Sequence, residues 1–432
     1  MPPPSLAYRA ATWSAATALP VIGRLLGGKV SRSVRSRRGV IKRMEAWGRS
    51  HRDITRPLVW VHAPSVGEGL QAAVVLRELR RRHPDWQVAY THFSPSAEAF
   101  AQNQGADFTD YLPWDTGDAA TRALAALQPS ALVYAKADIW PALACAATDA
   151  GVPVVLVAAT VSPISSRLRW PAGGFLRPGY AALRAAGAVS NSDAERLATL
   201  GTPPDRIEVL GDPRFDSVLS IIDAVHSGDP ALRFKQGEPV LVAGSTWPAD
   251  ESVLLRAFAE VRRVHPEARL ILAPHELTPR HLVGIRAGAR RWSLPEPVTL
   301  DRASADAPFV LVDRVGVLAR LYGSAAMAYV GGGFGTAGLH SVLEPAGWAV
   351  PVAFGPRWQN SREAGLLLEA GAAEVLDMTD PARQLAAWWS RMLAERGARE
   401  QGGRAAAAVI DAGRGAAVRQ ADMVERLVLS SV

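Results

Sequence analysis

The sequence predicts an α/β protein of two domains, each a parallel sheet covered by helices on both faces. Three observations lead there. From residue 58 onward short apolar runs alternate with helix-like stretches, and alternation on that scale means parallel strands joined by crossover helices. The pattern occurs twice, in two sets that part near residues 215–236. The chain, at 432 residues, also exceeds what one ordinary core accommodates.

In the first set, strands are expected at Leu58–Val61, Val88–Thr91, Leu132–Tyr134, Val154–Val157 and Ala188–Val189. Helices are expected between them, over Ala72–Arg82, Ser96–Gln104, Ala119–Leu127 and Pro141–Ala150. The second set gives strands at Val240–Ala243, Leu270–Ala273, Phe309–Val312, Ala328–Val330 and Val350–Ala353. Its helices fall near Ser252–Val264, Leu318–Tyr322, Val342–Trp348 and Arg362–Ala370, and Ala405–Leu429 reads as helical. The turn-rich Ser227-Gly-Asp-Pro230 suits a hinge. The expected organisation is a basic, apolar segment over 1–52, a first domain over 53–220 and a second over 221–432 that includes the C-terminal helix.

Charge is unevenly spread. Residues 1–52 hold eleven Lys and Arg against Glu45 alone, a net +10, which leaves −3 for the rest of a chain whose total is +7. The high pI therefore belongs to the N-terminus, which argues against a nucleic-acid binder with basic residues over its working face. The same segment contains Tyr8, Trp13, Leu19, Val21, Ile22, Leu25 and Leu26. Its apolar stretch between Arg9 and Arg24 is only about 14 residues and holds Pro20, whereas a spanning helix needs roughly 20. We read it as an interfacial membrane anchor, with arginines on anionic headgroups. A cleaved signal peptide and a plain basic surface helix remain open. The single cysteine, Cys145, excludes a disulfide framework and argues against a cysteine metal site.

Ligands of parallel α/β sheets bind outside the carboxyl ends of the strands, and in two facing domains those edges line one central cleft. The residues just after each strand are therefore the candidates. Leu58–Val61 breaks at Pro64 and Ser65 into a turn and then a helix, with Glu68 in its first turn. A carboxylate there complements the helix's positive end, and in a cleft it is a proton acceptor. After Leu132–Tyr134 come Lys136 and Asp138, and Asp138 reads either as an N-cap before Pro141 or as a second acid at the same sheet edge. Gly211-Asp-Pro-Arg214-Phe-Asp216 puts a cation at the domain boundary, in what is otherwise a surface turn. In the second half, Ala243-Gly-Ser245-Thr246 ends a strand with small residues and hydroxyls able to receive a phosphate. Pro274-His275-Glu276 ends the next. A glycine loop, Gly331 to Gly338, precedes Leu339-His340-Ser341 and a helix with Glu344 one turn in, where it is able to hold ribose hydroxyls. Gly333–Gly338 matches a dinucleotide fingerprint, but no acid ends the strand that follows.

Taken in order, Ser65-Val-Gly-Glu68, Asp138-Ile-Trp-Pro141, Gly211 to Asp216, Ala243-Gly-Ser-Thr246 and Ser341-Val-Leu-Glu-Pro345 resemble the 3-deoxy-D-manno-octulosonic acid (Kdo) transferases of lipopolysaccharide synthesis. The similarity runs from about residue 58 to 375. It implies a GT-B fold, two Rossmann-like α/β domains with the active site between them, CMP-Kdo as donor, a lipid A precursor (lipid IVA) as acceptor, no cofactor, and a place on the cytoplasmic face of the inner membrane. By position, Glu68 resembles the family's general base. Asp138 and Arg214 fall where the family has residues thought to stabilise the transition state. Pro274, His275, Val315, Gly316, Val317, Ser341, Val342, Leu343 and Glu344 fall at CMP-binding positions, and Ser245 joins them as a substrate- or CMP-binding residue on the phosphate-receiving reading of its loop. Asp138 stands where glutamate is common, Arg214 where lysine is frequent, and Val317 where many members carry an acid. Leu339-His340-Ser341 replaces a common Gly-His-Asn.

The chemistry so implied is inverting: Glu68 takes a proton from an acceptor hydroxyl as it attacks the anomeric carbon, and CMP leaves from the opposite face. A GT-B enzyme using another nucleotide sugar, an NAD(P)-dependent oxidoreductase built on Gly333–Gly338, and a non-enzymatic membrane-surface protein are the alternatives.

Overall fold

The computed structural model of the chain describes residues 3–22, 28–235, 239–336 and 338–430. Arg24, Leu25 and Leu26 of the expected anchor, residue 236 of the expected boundary and Ala337 of the glycine loop lie outside the described residues. The chain forms two compact units, one made of the residues up to Ser217 together with those from Gly415 onward, the other of Val218–Arg414.

The first unit contains a seven-stranded parallel sheet. Its strands are β1 (Leu58–His62), β2 (Gln87–His92), β3 (Phe108–Tyr111), β4 (Ala131–Ala135), β5 (Val154–Ala159), β6 (Ala185–Ala188) and β7 (Ile207–Val209). Their order in the sheet is β3-β2-β1-β4-β5-β6-β7. Every residue of β1 is buried, because both faces of the sheet are covered and an alternating pattern has no use there. Leu58 and Trp60 pack with Leu124, Leu132, Tyr134 and Leu143 on one side. Val59 and Val61 pack with Val75, Leu79, Val133 and Val155 on the other.

The second sheet is also seven-stranded and parallel. It comprises β8 (Val240–Thr246), β9 (Arg269–Pro274), β10 (Val298–Thr299), β11 (Phe309–Leu311), β12 (Met327–Val330), β13 (Val352–Phe354) and β14 (Ala373–Val375), in the order β10-β11-β9-β8-β12-β13-β14. Leu241, Ala243, Leu270, Leu272 and Tyr329 join Phe258, Leu385 and Trp389 in its core.

The structure corrects two expectations about organisation. Residues 31–52 are not a separate segment. Helix Val40–His51 buries Val40 and Met44 in the first core, and a Cβ at Gly48 would run into the Ala126 carbonyl. Arg37 is buried over the Phe93 ring at 3.8 Å, donates to the Leu112 and Phe93 carbonyls, and is pushed down to about 10 by burial. Arg43 pairs with Asp110. Part of the N-terminal charge is therefore internal structure rather than headgroup contact. The C-terminal helix also leaves the second domain. Helix Ala416–Leu429 places Ala421, Met423, Val424 and Val428 in the first core. Gln420 inside it accepts from Ala158 N at 2.6 Å and donates to Gly211 O at 2.8 Å. Asp216 accepts from Gly415 N and Ala417 N at the helix start. The expected Ala405–Leu429 helix is two, Arg396–Gly413 and Ala416–Leu429.

Candidate active site

In the first sheet β1 and β4 are neighbours, while the chain after β1 goes to β2 on the other side. The gap between the loops after β1 and β4 is thus a topological switch point, where open α/β sheets take ligands. Glu68 stands at one side of it, the third residue of helix Val66–Arg82, which Ser65 opens in extended conformation. The Ser65 hydroxyl donates to Glu68 Oε2. Lys136 stands at the other side, its Nζ 3.3 Å from Glu68 Oε1. Its backbone lies in the left-handed region at φ 67°, uncommon for a side-chain-bearing residue and characteristic of functional turns.

Asp138 is not the N-cap that one reading of the sequence made it. Helix Pro141–Asp149 starts three residues later, preceded by Trp140. Its first amides are satisfied by Asp115, which accepts from Ala142 N and Leu143 N, both at 2.9 Å. Asp115 also accepts from the Tyr8 hydroxyl at 2.6 Å. Freed from capping, Asp138 meets Arg167 Nη2 at 2.9 Å. Burial raises the Asp138 carboxyl, the Arg167 guanidinium lowers it, and the charge of Glu68 adds to the rise. Glu68, Lys136, Asp138, Arg167, Ser65 and Ser162 line one cavity of about 500 Å³. It offers two carboxyl groups, two cationic side chains and hydroxyls, a set suited to a polar, charged ligand. Arg167 and Asp115 escaped the sequence reading. Arg167 sits on a short turn, Ser166–Leu168, beyond β5, with no motif around it.

Arg214 is the first residue of helix Arg214–Asp223. Asp212 holds its guanidinium by Nε at 2.9 Å and Nη2 at 2.6 Å. It does not line the cavity that holds Glu68 and Asp138.

In the second sheet, β11, β9, β8 and β12 are consecutive parallel neighbours. The loops after them therefore share one edge, and those loops carry the expected donor residues. Ser245 is the penultimate residue of β8, at φ 55°. Pro274 ends β9, and His275 N is held by the Thr246 carbonyl at 2.9 Å. Val315 and Gly316 are exposed beyond β11, with Val317 opening the turn Leu318–Leu321. Beyond β12, Ser341 is exposed, Val342 and Leu343 are buried, and Glu344 lies in the first turn of the short helix Leu343–Gly347.

The phosphate cradle suggested by the small residues here differs in the structure. Helix Pro248–Val264 has Asp250 and Glu251 in its first turn. Asp250, fully buried, accepts from Trp247 N at 2.9 Å, Gly332 N at 3.0 Å and the Tyr329 hydroxyl at 2.7 Å. Gly331 N, Gly335 N and His340 N are engaged by backbone carbonyls, and Leu339 N by Asn360. Much of the glycine loop is therefore committed to its own shape. A separate cavity of about 500 Å³ lies between helices Pro248–Val264 and Pro279–Arg291, near the Glu251–His281 pair, and none of the expected donor residues lines it. Among the described residues no cluster of three or more His, Cys, Asp or Glu is placed to hold a metal ion.

A family model for 3-deoxy-D-manno-octulosonic-acid transferase (kdotransferase) matches residues 32–217. The 3-deoxy-D-manno-octulosonic acid transferase of Haemophilus influenzae is 25% identical over 371 residues, covering 85% of this chain and 86% of that protein. That of Bordetella pertussis is 29% identical over 378 residues, covering 85% and 86%. The chain is similar to the Kdo transferases over most of its length. It shares its fold with UDP-GlcNAc 2-epimerase from Neisseria meningitidis, at a TM-score of 0.62 and 14% identity over 86% of this chain and all of that one. Two parallel α/β units of this kind make the GT-B fold. The family match opens at residue 32, close to where the chain becomes integral to the first core at Val34 and Val40.

Proposed function

We propose that the chain transfers Kdo from CMP-Kdo to a lipid A precursor, lipid IVA, with inversion at the anomeric carbon. The observation that carries this reading is the pairing of Glu68 with Lys136, beside Asp138 and Arg167, in one cavity at the switch point of the first sheet. Glu68 is the general base: its carboxylate takes the proton of the attacking sugar hydroxyl. Lys136 orients that carboxylate and offers its ammonium to an anionic substrate group. Asp138, held by Arg167, and Arg214, held by Asp212, assist the transition state. The second unit holds CMP at Ser245, Pro274-His275, Val315–Val317 and Ser341–Glu344, where Glu344 takes the ribose hydroxyls.

The acceptor is a lipid, and the N-terminal residues support its approach. No helix among the described residues is long and apolar enough to cross a membrane. Helix Leu6–Ile22 exposes Leu6 and Trp13, and Arg32, Arg35 and Arg38 share an exposed face opposite buried Ser31, Val34 and Arg37. That is an interfacial surface suited to the cytoplasmic face of the inner membrane. The decisive experiment incubates the protein with CMP-Kdo and lipid IVA and weighs the lipid by mass spectrometry. A product heavier by whole Kdo units is expected. No product with CMP-Kdo, alongside product with a UDP-linked sugar, would refute the donor assignment.

A further inference from the structure

Three aromatic rings meet at the edge of the second sheet. Trp247 follows β8, His275 follows β9, and His340 follows the loop after β12. Trp247 and His275 stack at 4.6 Å and 24°, and His275 and His340 at 4.6 Å and 28°. Trp247 Nε1 donates to His340 Nε2 at 3.0 Å. An indole N–H only donates, so Nε2 of His340 must present a lone pair. The neutral imidazole then carries its proton on Nδ1, since one ring nitrogen's partner fixes the other's role.

The surroundings agree. Burial and the neighbouring His275 both lower the His340 ring below its ordinary value, while Asp250 on helix Pro248–Val264 pulls the other way. Protonation would set an Nε2–H against the indole N–H and break the bond. The backbone is fixed as well, because His340 N is held by the Gly331 carbonyl at 3.1 Å.

We propose that His340 binds the nucleotide donor through a neutral Nδ1–H offered to its phosphate, and that Trp247 is the positioning residue that fixes the proton there. This rests on the reading that the second unit holds CMP. A neutral donor lets the phosphate be gripped without a full charge pair, so that CMP is released after transfer rather than retained.

The test uses the full chain, labelled with ¹⁵N, and CMP as the probe. Long-range ¹H–¹⁵N spectra should show His340 as the Nδ1-protonated tautomer, still neutral below the usual histidine value of about 6.5. Trp247→Phe, which keeps the stack but removes the N–H, should shift His340 toward the Nε2–H tautomer and let it protonate at higher pH. Calorimetry with CMP near neutral pH should show His340→Gln weakened roughly tenfold, because its amide nitrogen falls at the wrong ring position. His340→Asn, with its amide nitrogen near that of Nδ1, should stay within about threefold. An Nε2–H tautomer in the unaltered protein would overturn the proposal, as would CMP binding by a folded His340→Gln variant equal to that of the parent. If CMP binds the parent and every variant alike, only the role of His340 falls. If the parent itself binds no CMP, the donor assignment falls with it.

Discussion

Replacing Glu68 by Gln separates chemistry from architecture. The carboxylate is held by the Ser65 hydroxyl and by Lys136 Nζ at 3.3 Å, with the lysine side chain 43% exposed and the glutamate 18%. A pair that open to solvent is worth no more than about 1 kcal/mol, and the amide keeps an oxygen for one partner. Stability should therefore fall by less than about 1 kcal/mol, a Tm change of roughly 2–4 °C in a domain of this size. Loss of a general base typically costs about 10²–10⁴ in rate, equivalent to roughly 3–5 kcal/mol of barrier. The two effects differ severalfold, so one variant distinguishes them. Initial rates with CMP-Kdo and lipid IVA, thermal unfolding and CMP calorimetry make the comparison. A variant within tenfold of the parent rate removes Glu68 as the base. A collapse in rate accompanied by a large loss of Tm makes its role structural.

Three further outcomes follow from the same geometry. Arg167→Gln removes the group that lowers the Asp138 carboxyl, leaving burial and the charge of Glu68 to raise it further, so the acid limb of kcat/KM should move to higher pH; an unmoved limb would dissociate Asp138 from the rate. Gly69→Ala would put a Cβ 2.5 Å from the Phe100 ring and 3.0 Å from the Tyr90 hydroxyl, displacing the turn that carries Glu68. A shift near 1 Å costs about 10²-fold, whereas a more stable, fully active variant, as helix propensity alone predicts, would refute the crowding. Asp115→Ala leaves Ala142 N, Leu143 N and the Tyr8 hydroxyl without their acceptor. Partly offset by relief of a buried carboxyl that burial raises, this should cost roughly 3 kcal/mol in denaturant unfolding; an unchanged midpoint would show the bonds to be dispensable.

The central strands of both sheets were legible because both their faces are buried and they read as continuous apolar runs. The four strands the sequence did not reveal are β3, β7, β10 and β14, and all four are sheet edges. β3 carries part-exposed Thr109 and Asp110, and β7 is Ile-Glu-Val with Glu208 and Val209 exposed. An edge has one paired neighbour and an open flank, so its composition resembles a loop. At the site, Glu68, Lys136 and Asp138 were legible because they directly follow strands. Arg167, Asp115 and Asp250 were not, since each acts across a distance in sequence: 29 residues separate Arg167 from Asp138, and 82 separate Asp250 from Gly332. A signal for Asp250 did exist, an acid three residues after the N-cap Trp247, in the position of a capping box.

Asp115 joins two parts of the chain with different surroundings. One of its contacts is the phenol of Tyr8, on a helix that turns Leu6 and Trp13 toward the outside. The others are the amides that start the segment directly beyond Asp138. A displacement of the leading helix would therefore act on the same carboxylate that holds the first amides of helix Pro141–Asp149. The leading helix and the start of helix Pro141–Asp149 are thus tied through a single side chain.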